Sequence, residues 1–280
     1  MQNINLNHFS LPAMNSQLDI VLWGAETSFS QTAIQEAANR VQKLERIISR
    51  YDPNAELFQL NKTAHQHPVK MSMQLFEAIQ YGVKYYQNTN GYFDIFNGSL
   101  FHSWKTGDTE NVKTTGNGEP RVSIDEENRT IQFLQSNVSL DFGGIGKGMA
   151  LQAIDAVFSS NSIEHAFVSF GGSSILTRGH HPHGLFWPFT LTGYPDRIWE
   201  LNNAFLSVSK SIPTTKTGMA AHLLNPKTGE PVLKHKTAVV QALNPIDAEV
   251  LSTTLLIASE EEHSTILQNF NNIDYQFFNH

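Results

Sequence analysis

Residues 138–150 read VSLDFGGIGKGMA, which takes an apolar run into a glycine turn with one lysine and then into the start of a helix. Glycine lets backbone N–H groups approach an anion, a helix N-terminus adds partial positive charge, and Lys147 supplies a full charge. The two common nucleotide fingerprints do not fit, because a Walker loop needs glycine where Asp141 stands and a GxGxxG count from Gly144 fails at Met149. The segment therefore predicts a phosphate-binding turn of another kind.

Composition narrows the possible classes of function. The chain has 280 residues, of which 40% are hydrophobic, so it can build one large core or two modest ones. Its formal charge of -7 argues against a broad basic face for nucleic acid, and the absence of cysteine excludes disulfides, thiolate metal sites and a cysteine nucleophile. Residues 1–20 lack the basic region and apolar core of a signal peptide. We therefore predict a cytoplasmic protein that inserts into no membrane.

Strands and helices are mixed along the chain without a regular order. Amphipathic helices are predicted at 30–50 and 72–87, the first with a capping box formed by Thr32 and Gln35. Further helices are predicted at 146–158 and 247–259, and strands at 17–23, 121–124, 130–134, 138–142, 166–170, 186–191, 205–208, 237–243 and near 275. Because the strands and helices show no regular βαβ alternation, we expect an α+β fold in preference to a parallel Rossmann sheet.

Two further segments end an apolar run in a turn. Gly171 and Gly172 follow the predicted strand residues 168–170 and could hold phosphates against the backbone, although a tight β-turn alone also explains them. His222 precedes an Asn-Pro-Lys-Thr-Gly turn at 225–229 and could act as a general base, whereas a lone histidine is more often a structural residue. Each segment is thus open to a functional and a structural interpretation.

Other polar groups are also open to both a functional and a structural interpretation. Glu249 and Thr253 lie four residues apart on a predicted helix, so they could offer a carboxylate and a hydroxyl to one Mg²⁺, or they could need no special explanation. The Asn-Gly at 90–91 and the Tyr-Phe-Asp at 92–94 predict a pocket wall or a piece of core. The His-His-Pro-His run at 180–183 lacks a carboxylate or thiolate nearby in sequence, and we interpret it as structural or incidental.

In this order, these segments resemble the FAD:protein FMN transferases of the ApbE type. The resemblance runs from about residue 14 to residue 257. Residues 141–152 resemble the family's DLGGIAKGYAVD, 171–173 its GGD turn, 222–229 its HIIDPRTG, 248–255 its ADALSTAL, 49–61 its STYDPDSELSRLN, and 90–94 its TGGAFD. Any one of these matches is weak, whereas six in the same order make the resemblance specific.

The resemblance implies a single α+β, T-fold-like domain over residues 1–280, with mixed, largely antiparallel sheets and packed helices. It also implies an enzyme that binds FAD with Mg²⁺, transfers the FMN moiety to a Thr or Ser hydroxyl of a target flavoprotein, and releases AMP. His222 would accept the hydroxyl proton. The carbonyl of Gly144, Glu249 and the Thr253 hydroxyl would hold Mg²⁺. The residues implied in FAD binding are Met14, Tyr51, Tyr92, Phe93, Asp94, Asp141, Lys147, Met149, Gly171, Gly172 and Ser209.

The sequence departs from the family pattern around the implied metal. Glu249 stands where the family has Asp, Lys210 where it has Gly, and Met149 where it has Tyr. One hypothesis is that Lys210 pairs with Glu249 and partly replaces the charge of the metal. These departures leave two alternatives open, which are a homologue that binds or hydrolyses FAD without flavinylating a protein, and a protein-interaction domain on the same scaffold.

Overall fold

The computed structural model describes residues 6–106, 120–212 and 223–279. Helices and antiparallel strands alternate irregularly in these ranges, so the predicted α+β class is confirmed. The elements in chain order are β1 (Leu6–Ala13), β2 (Ser16–Trp23), α1 (Thr27–Ile48), α2 (Glu56–Thr63), β3 (Val69–Lys70), α3 (Met73–Asn88), α4 (Gly98–Thr106), β4 (Val122–Asp125), β5 (Thr130–Phe133), α5 (Gly146–Ser160), β6 (His165–Phe170), β7 (Ser174–Arg178), β8 (Trp187–Leu191), β9 (Tyr194–Leu201), β10 (Phe205–Ser211), β11 (Lys236–Ala242), α6 (Pro245–Ile257), α7 (Glu260–Leu267) and β12 (Asp274–Asn279).

The main sheet has seven strands in the order β1-β2-β6-β7-β10-β11-β12, and neighbouring strands run antiparallel. Successive side chains of a strand point to opposite faces, so each strand contributes to two layers. On β2, Leu18, Ile20 and Leu22 are fully buried against the helix layer of α1, α5 and α6, whereas Val21 and Trp23 pack on the other face. The β8–β9 hairpin covers that other face. The apolar residues packed between the hairpin and the sheet form a cluster of their own, the hairpin cluster.

A second core lies beside the main sheet. It is formed by α2, α3, the three-stranded sheet β3-β5-β4 and the chain around residues 138–145. Ile246 and Val250 of α6 also belong to this core, so α6 connects it to the helix layer. The glycine–lysine turn connects this second core to the start of α5.

Two helices begin at a residue whose side chain caps the first turn, whereas α1 does not begin at its predicted cap. The Ser72 side chain caps α3 by accepting a hydrogen bond from the Leu75 amide, and the Asn244 side chain caps α6. The predicted capping box of α1 is wrong, because α1 begins at Thr27. Thr32 therefore lies inside the helix, where its hydroxyl donates to the Ser28 carbonyl one turn back.

The strand predicted at 138–142 does not form a ladder, although its apolar residues are buried as a strand would bury them. Val138, Leu140 and Phe142 all point into the second core. The Asn61 side chain donates to the Leu140 carbonyl at 2.9 Å and accepts from the Leu140 amide at 2.8 Å. Asn61 thus satisfies the backbone of Leu140. On the other side, the Ser139 carbonyl accepts from the Gly98 amide and the Asp141 amide donates to the Ile95 carbonyl, in a single parallel bridge that does not extend into a ladder. Across the described ranges, no helix is long and apolar enough to cross a membrane.

Candidate functional site

A cavity of about 770 Å³ opens at the end of the main sheet, which is within the range of small-ligand sites. The β1–β2 and β6–β7 turns lie side by side there, joined by a hydrogen bond from the Gly171 amide to the Gln17 carbonyl. Most of the site residues predicted from the sequence line this cavity. They are Met14, Tyr51, Tyr92, Phe93, Asp94, Asp141, Gly144, Lys147, Gly171, Gly172, Ser209, Glu249 and Thr253.

Two predicted residues are not among these lining residues. Met149 is two residues beyond Lys147, about 200° further round the helix, and it packs against the second core. The prediction that Met149 faces the ligand is therefore not supported by its position. His222, the predicted general base, lies outside the described residues.

The glycines of the glycine–lysine turn have packing roles as well as a possible role in binding a ligand. A Cβ at Gly148 would lie 2.9 Å from the Ile246 Cα and 2.9 Å from the Pro245 carbonyl oxygen, so only glycine lets α5 approach the start of α6. A Cβ at Gly144 would lie 3.1 Å from the Phe93 ring. The close approach of α5 to α6 brings Lys147 and Glu249 into contact.

Lys147 and Glu249 form an ion pair, with Nζ and Oε1 2.9 Å apart. The Lys147 ammonium also donates to Ser174 Oγ at 2.7 Å and lies 3.3 Å from Ser173 Oγ. The other carboxylate oxygen, Glu249 Oε2, accepts from Ser174 Oγ at 2.7 Å and from Ser207 Oγ at 3.1 Å. Both oxygens of the carboxylate are therefore held by groups of this chain.

A row of hydroxyl groups continues this network along α6. Ser252 Oγ lies 3.0 Å from Ser207 Oγ and 2.8 Å from Ser209 Oγ, and Ser209 Oγ lies 3.0 Å from Thr253 Oγ1. Sequence reasoning named Ser209 and Thr253 but missed Ser174 and Ser207. The signal for Ser207 was available, because residues 207 and 209 share one face of a strand.

The hypothesis that Lys210 pairs with Glu249 is wrong. Ser207 and Ser209 face α6, so the alternation of the strand turns Val208 and Lys210 to the opposite face. Val208 packs there against the hairpin cluster, and Lys210 lines the cavity from that side. Within the described ranges the carboxylate of Glu249 has its ion pair with Lys147 instead.

Asp141 is held by a cation that the sequence analysis did not name. Arg50 Nη1 donates to Asp141 Oδ2 at 2.7 Å and to the Gly98 carbonyl at 2.9 Å. The other oxygen, Asp141 Oδ1, accepts from the Gly143 amide at 2.8 Å. Arg50 lies between Ser49 and Tyr51 in a segment already matched to the family, so its place beside a predicted ligand residue could have drawn attention to it.

The aromatic and acidic residues at 92–94 are fixed by partners from distant parts of the chain. The Tyr92 hydroxyl donates to Glu262 Oε2, and burial together with this carboxylate raises the pKa of Tyr92 to about 12. Burial also raises the pKa of Asp94, although its ion pair with Arg121 opposes the effect. Asp94 additionally accepts from the Phe96 amide at 2.9 Å. These contacts hold the Tyr92 and Asp94 side chains at the wall of the cavity.

Two turns with left-handed backbone form the rim. Met14 and Asn15 have φ of 51° and 55°, and the Met14 amide donates to Glu45 Oε1 at 2.9 Å. Gly171 and Gly172 have φ of 54° and 70°, which is the conformation that favours glycine. Glu45 was not predicted, yet it orients the backbone of a predicted ligand residue.

The candidate metal ligands fit Mg²⁺ only as part of a larger set. Within residues 6–106, 120–212 and 223–279, no group of three or more His, Asp or Glu side chains could hold a metal ion. Gly144, Glu249 and Thr253 would offer one carbonyl, one carboxylate and one hydroxyl oxygen. Mg²⁺ is commonly bound through one or two carboxylates, with substrate phosphates and waters completing its shell. The oxygens present suit that arrangement if a phosphate is bound.

The histidine-rich segment lies apart from the cavity. The His180 ring centroid is 4.4 Å from that of His165, which stacks on Trp23 at 4.0 Å. Trp23 Nε1 donates to the His180 carbonyl at 2.7 Å. These contacts agree with the structural interpretation of this segment.

The antiparallel sheet, its helix layer and its hairpin make the fold that of the solved flavin transferases. The flavin transferase ApbE from Vibrio cholerae superposes with a TM-score of 0.76 at 18% identity, covering 98% of this chain and 93% of the other. The Pseudomonas stutzeri flavinyl transferase ApbE in its apo form gives a TM-score of 0.80 at 19% identity, covering 100% of this chain and 94% of the other. The fold class is thus established by structure.

The sequence establishes the family. The model of the ApbE family matches residues 14–277, so this chain belongs to the ApbE family. Among named relatives, the FAD:protein FMN transferase of Chlamydia muridarum is 26% identical over 263 residues, which cover 87% of this chain and 82% of the relative. The FAD:protein FMN transferase of Klebsiella pneumoniae is 21% identical over 99% of this chain and 90% of its own length.

Proposed function

We propose that this protein transfers the FMN moiety of FAD to a Thr or Ser hydroxyl of a target flavoprotein, with Mg²⁺, and releases AMP. The observation that carries the proposal is that Lys147, at the start of α5, shares one cavity with Glu249, Thr253 and the residues implied in FAD binding. The names of its relatives support the same activity.

The reaction is a phosphoryl transfer. The acceptor oxygen forms a bond to the phosphorus on the FMN side of the FAD pyrophosphate, and the bond from that phosphorus to the bridging oxygen breaks, so AMP leaves with that oxygen. The hydroxyl proton must go to a base, and His222 is our candidate for it. The dominant demands are positioning and charge neutralisation rather than covalent chemistry by the protein.

Charge neutralisation falls to a small number of groups. Lys147 would hold a pyrophosphate oxygen, with the N-terminus of α5 adding its partial positive charge. Gly144, Glu249 and Thr253 would hold Mg²⁺, which supplies neutralisation of negative charge on the phosphate oxygens. Arg50 keeps Asp141 in place at the cavity wall.

A second candidate function is FAD binding or FAD hydrolysis to FMN and AMP without protein flavinylation. The observation that favours it is the ion pair of Lys147 with Glu249, which uses the only carboxylate of the candidate metal set. In hydrolysis, water takes the place of the acceptor hydroxyl. The cytoplasmic location and the single-domain organisation of residues 1–280 stay predictions from the sequence.

One experiment separates these functions. The protein is incubated with FAD, Mg²⁺ and a candidate flavoprotein acceptor, and AMP is measured by chromatography while FMN on the acceptor is measured by mass spectrometry. An acceptor whose reactive Thr or Ser is replaced by Ala is the control. AMP with covalent FMN supports transfer, and AMP with free FMN supports hydrolysis. Binding of neither FAD nor AMP would favour a protein-interaction role.

A further inference from the structure

The place where a cation is expected is taken by the protein's own ammonium group. Lys147 Nζ lies 2.9 Å from Glu249 Oε1, and the Ser174 hydroxyl bridges the two side chains with hydrogen bonds of 2.7 Å on each side. Ser174 is fully buried. Ammonium, hydroxyl and carboxylate thus form a closed ring at the wall of the cavity.

This ring opposes metal binding while the cavity holds no nucleotide. A divalent cation on Glu249 would lie beside the Lys147 ammonium, and like charges at such short separation repel strongly when they are partly shielded from water. The candidate site also has a single carboxylate to compensate both cations. The two charges can coexist only if an additional anion arrives or if the ammonium moves.

The two partners are unequally fixed. The Glu249 side chain is 8% exposed and is also held by Ser207, whereas the Lys147 side chain is 24% exposed and reaches the network on a flexible four-carbon stem. Lys147 is therefore the partner that can move toward the cavity. A pyrophosphate there offers the negative charge that would draw it away from the carboxylate.

We propose that the Lys147–Glu249 ion pair keeps the metal site closed until a pyrophosphate-bearing nucleotide binds. The nucleotide takes over Lys147, and Glu249 becomes free to ligate a divalent cation. This inference rests on the proposed function, because it takes FAD and Mg²⁺ as the ligands. Ser174 is a positioning residue that holds both partners in the closed arrangement.

The proposal predicts strong coupling between the two ligands. Coupling between sites typically changes affinity by about 5- to 150-fold, and the factor must be the same in both directions. Mg²⁺ should therefore tighten FAD binding to the wild-type protein by a factor in this range. FAD affinity is measured by flavin fluorescence with and without Mg²⁺, in the absence of any acceptor.

Mn²⁺ binding to the nucleotide-free protein, followed by electron paramagnetic resonance, tests the closed state directly. We expect weak binding to the wild type and at least about fivefold tighter binding to Lys147→Gln, the lower end of the usual coupling range. Lys210→Gln removes the same charge from the face of β10 that points away from Glu249 and should bind Mn²⁺ as the wild type does. The double variant Lys147→Gln/Glu249→Gln should lose the gain, which would assign the ion to Glu249.

Equal Mn²⁺ affinity of the wild type and Lys147→Gln, or FAD binding that Mg²⁺ does not change, would overturn the proposal. FAD binding without coupling leaves the proposed function intact, so the two failures are distinguishable. Absence of FAD binding would instead contradict the proposed function, and the Mn²⁺ measurements would still decide the closed state. If Lys147→Gln does not fold, the coupling measured on the wild type still decides.

Discussion

Arg50 and Asp141 are 91 residues apart in sequence and are joined by an ion pair of 2.7 Å at the cavity wall. Their side chains are only 13% and 16% exposed, and Arg50 also donates to the Gly98 carbonyl. Arg50 therefore links the end of α1 to the start of α4 and to the segment that carries the glycine–lysine turn. Asp141 depends on this one guanidinium for its charge compensation in the described part of the chain.

Replacing Arg50 should destabilise the protein and weaken FAD binding together. Arg50→Gln leaves Asp141 largely buried without its counter-ion, and breaking a buried ion pair costs about 3 kcal/mol. Urea unfolding measures the loss in the free energy of unfolding, and flavin fluorescence measures FAD binding. Arg40→Gln is the matched control, because its pair with Glu36 is exposed and should contribute less than about 1 kcal/mol. Equal stability of the two variants would contradict the role given to Arg50.

Adding a methyl group at Gly148 should push α5 away from α6. The Cβ of Gly148→Ala would meet backbone atoms of Pro245 and Ile246 at 2.9 Å, and overpacking of this kind costs about 1–3 kcal/mol. Gly184→Ala is the control, since the nearest atom to its Cβ would be 3.8 Å away. Thermal unfolding should show a lower Tm for Gly148→Ala alone, and an unchanged Tm would show that α5 and α6 can separate freely.

His165 should make the protein less stable in mild acid. Burial and the nearby His180 lower the pKa of His165 below its usual value of 6.5, so the folded state favours the neutral ring. The unfolded chain takes up the proton first as the pH falls through 6.5, and stability is lost from there down to the folded pKa. The free energy of unfolding should fall less between pH 7.5 and 5.5 in His165→Gln than in the wild type; these two pH values bracket, at about one unit each side, the usual histidine pKa.

His222→Ala should strongly slow transfer and leave FAD binding in place. A general base contributes about 10²- to 10⁴-fold to the rate, so covalent FMN on the acceptor should form slower by that factor. Flavin fluorescence measures binding to the same variant. The prediction is wrong if turnover is unchanged, and loss of FAD binding would assign His222 to the substrate site instead.

The sequence alone predicted the elements whose signals are local. The helix predicted at 72–87 is α3, within one residue at each end, and α5 begins where the glycine turn ends. Most of the residues that the family resemblance implied in ligand binding line one cavity. In contrast, α2 was missed, since its eight residues carry a short apolar pattern between two turns.

The partners of the site residues could not be predicted in the same way. The carboxylate of Glu249 was assigned to Lys210, and the alternation of β10 places Lys210 on the other face of the sheet. Residues 138–142 were predicted as a strand from their alternation, and they form only one isolated bridge, to Asn97, while the Asn61 side chain bonds to the backbone of Leu140. Both errors arise because hydrogen-bond partners come from distant parts of the chain.

The amino-acid sequence by itself determined the α+β class and the glycine–lysine turn at the start of α5. These depend on side-chain period and turn chemistry, which are properties of short stretches, whereas the residues that line the cavity were implied by the resemblance of several segments to one family. Tertiary structure alone decided that Lys147, rather than Lys210, compensates Glu249. The reason is geometric, because Gly148 lets α5 touch α6 and the pleat of β10 selects which side chains reach it.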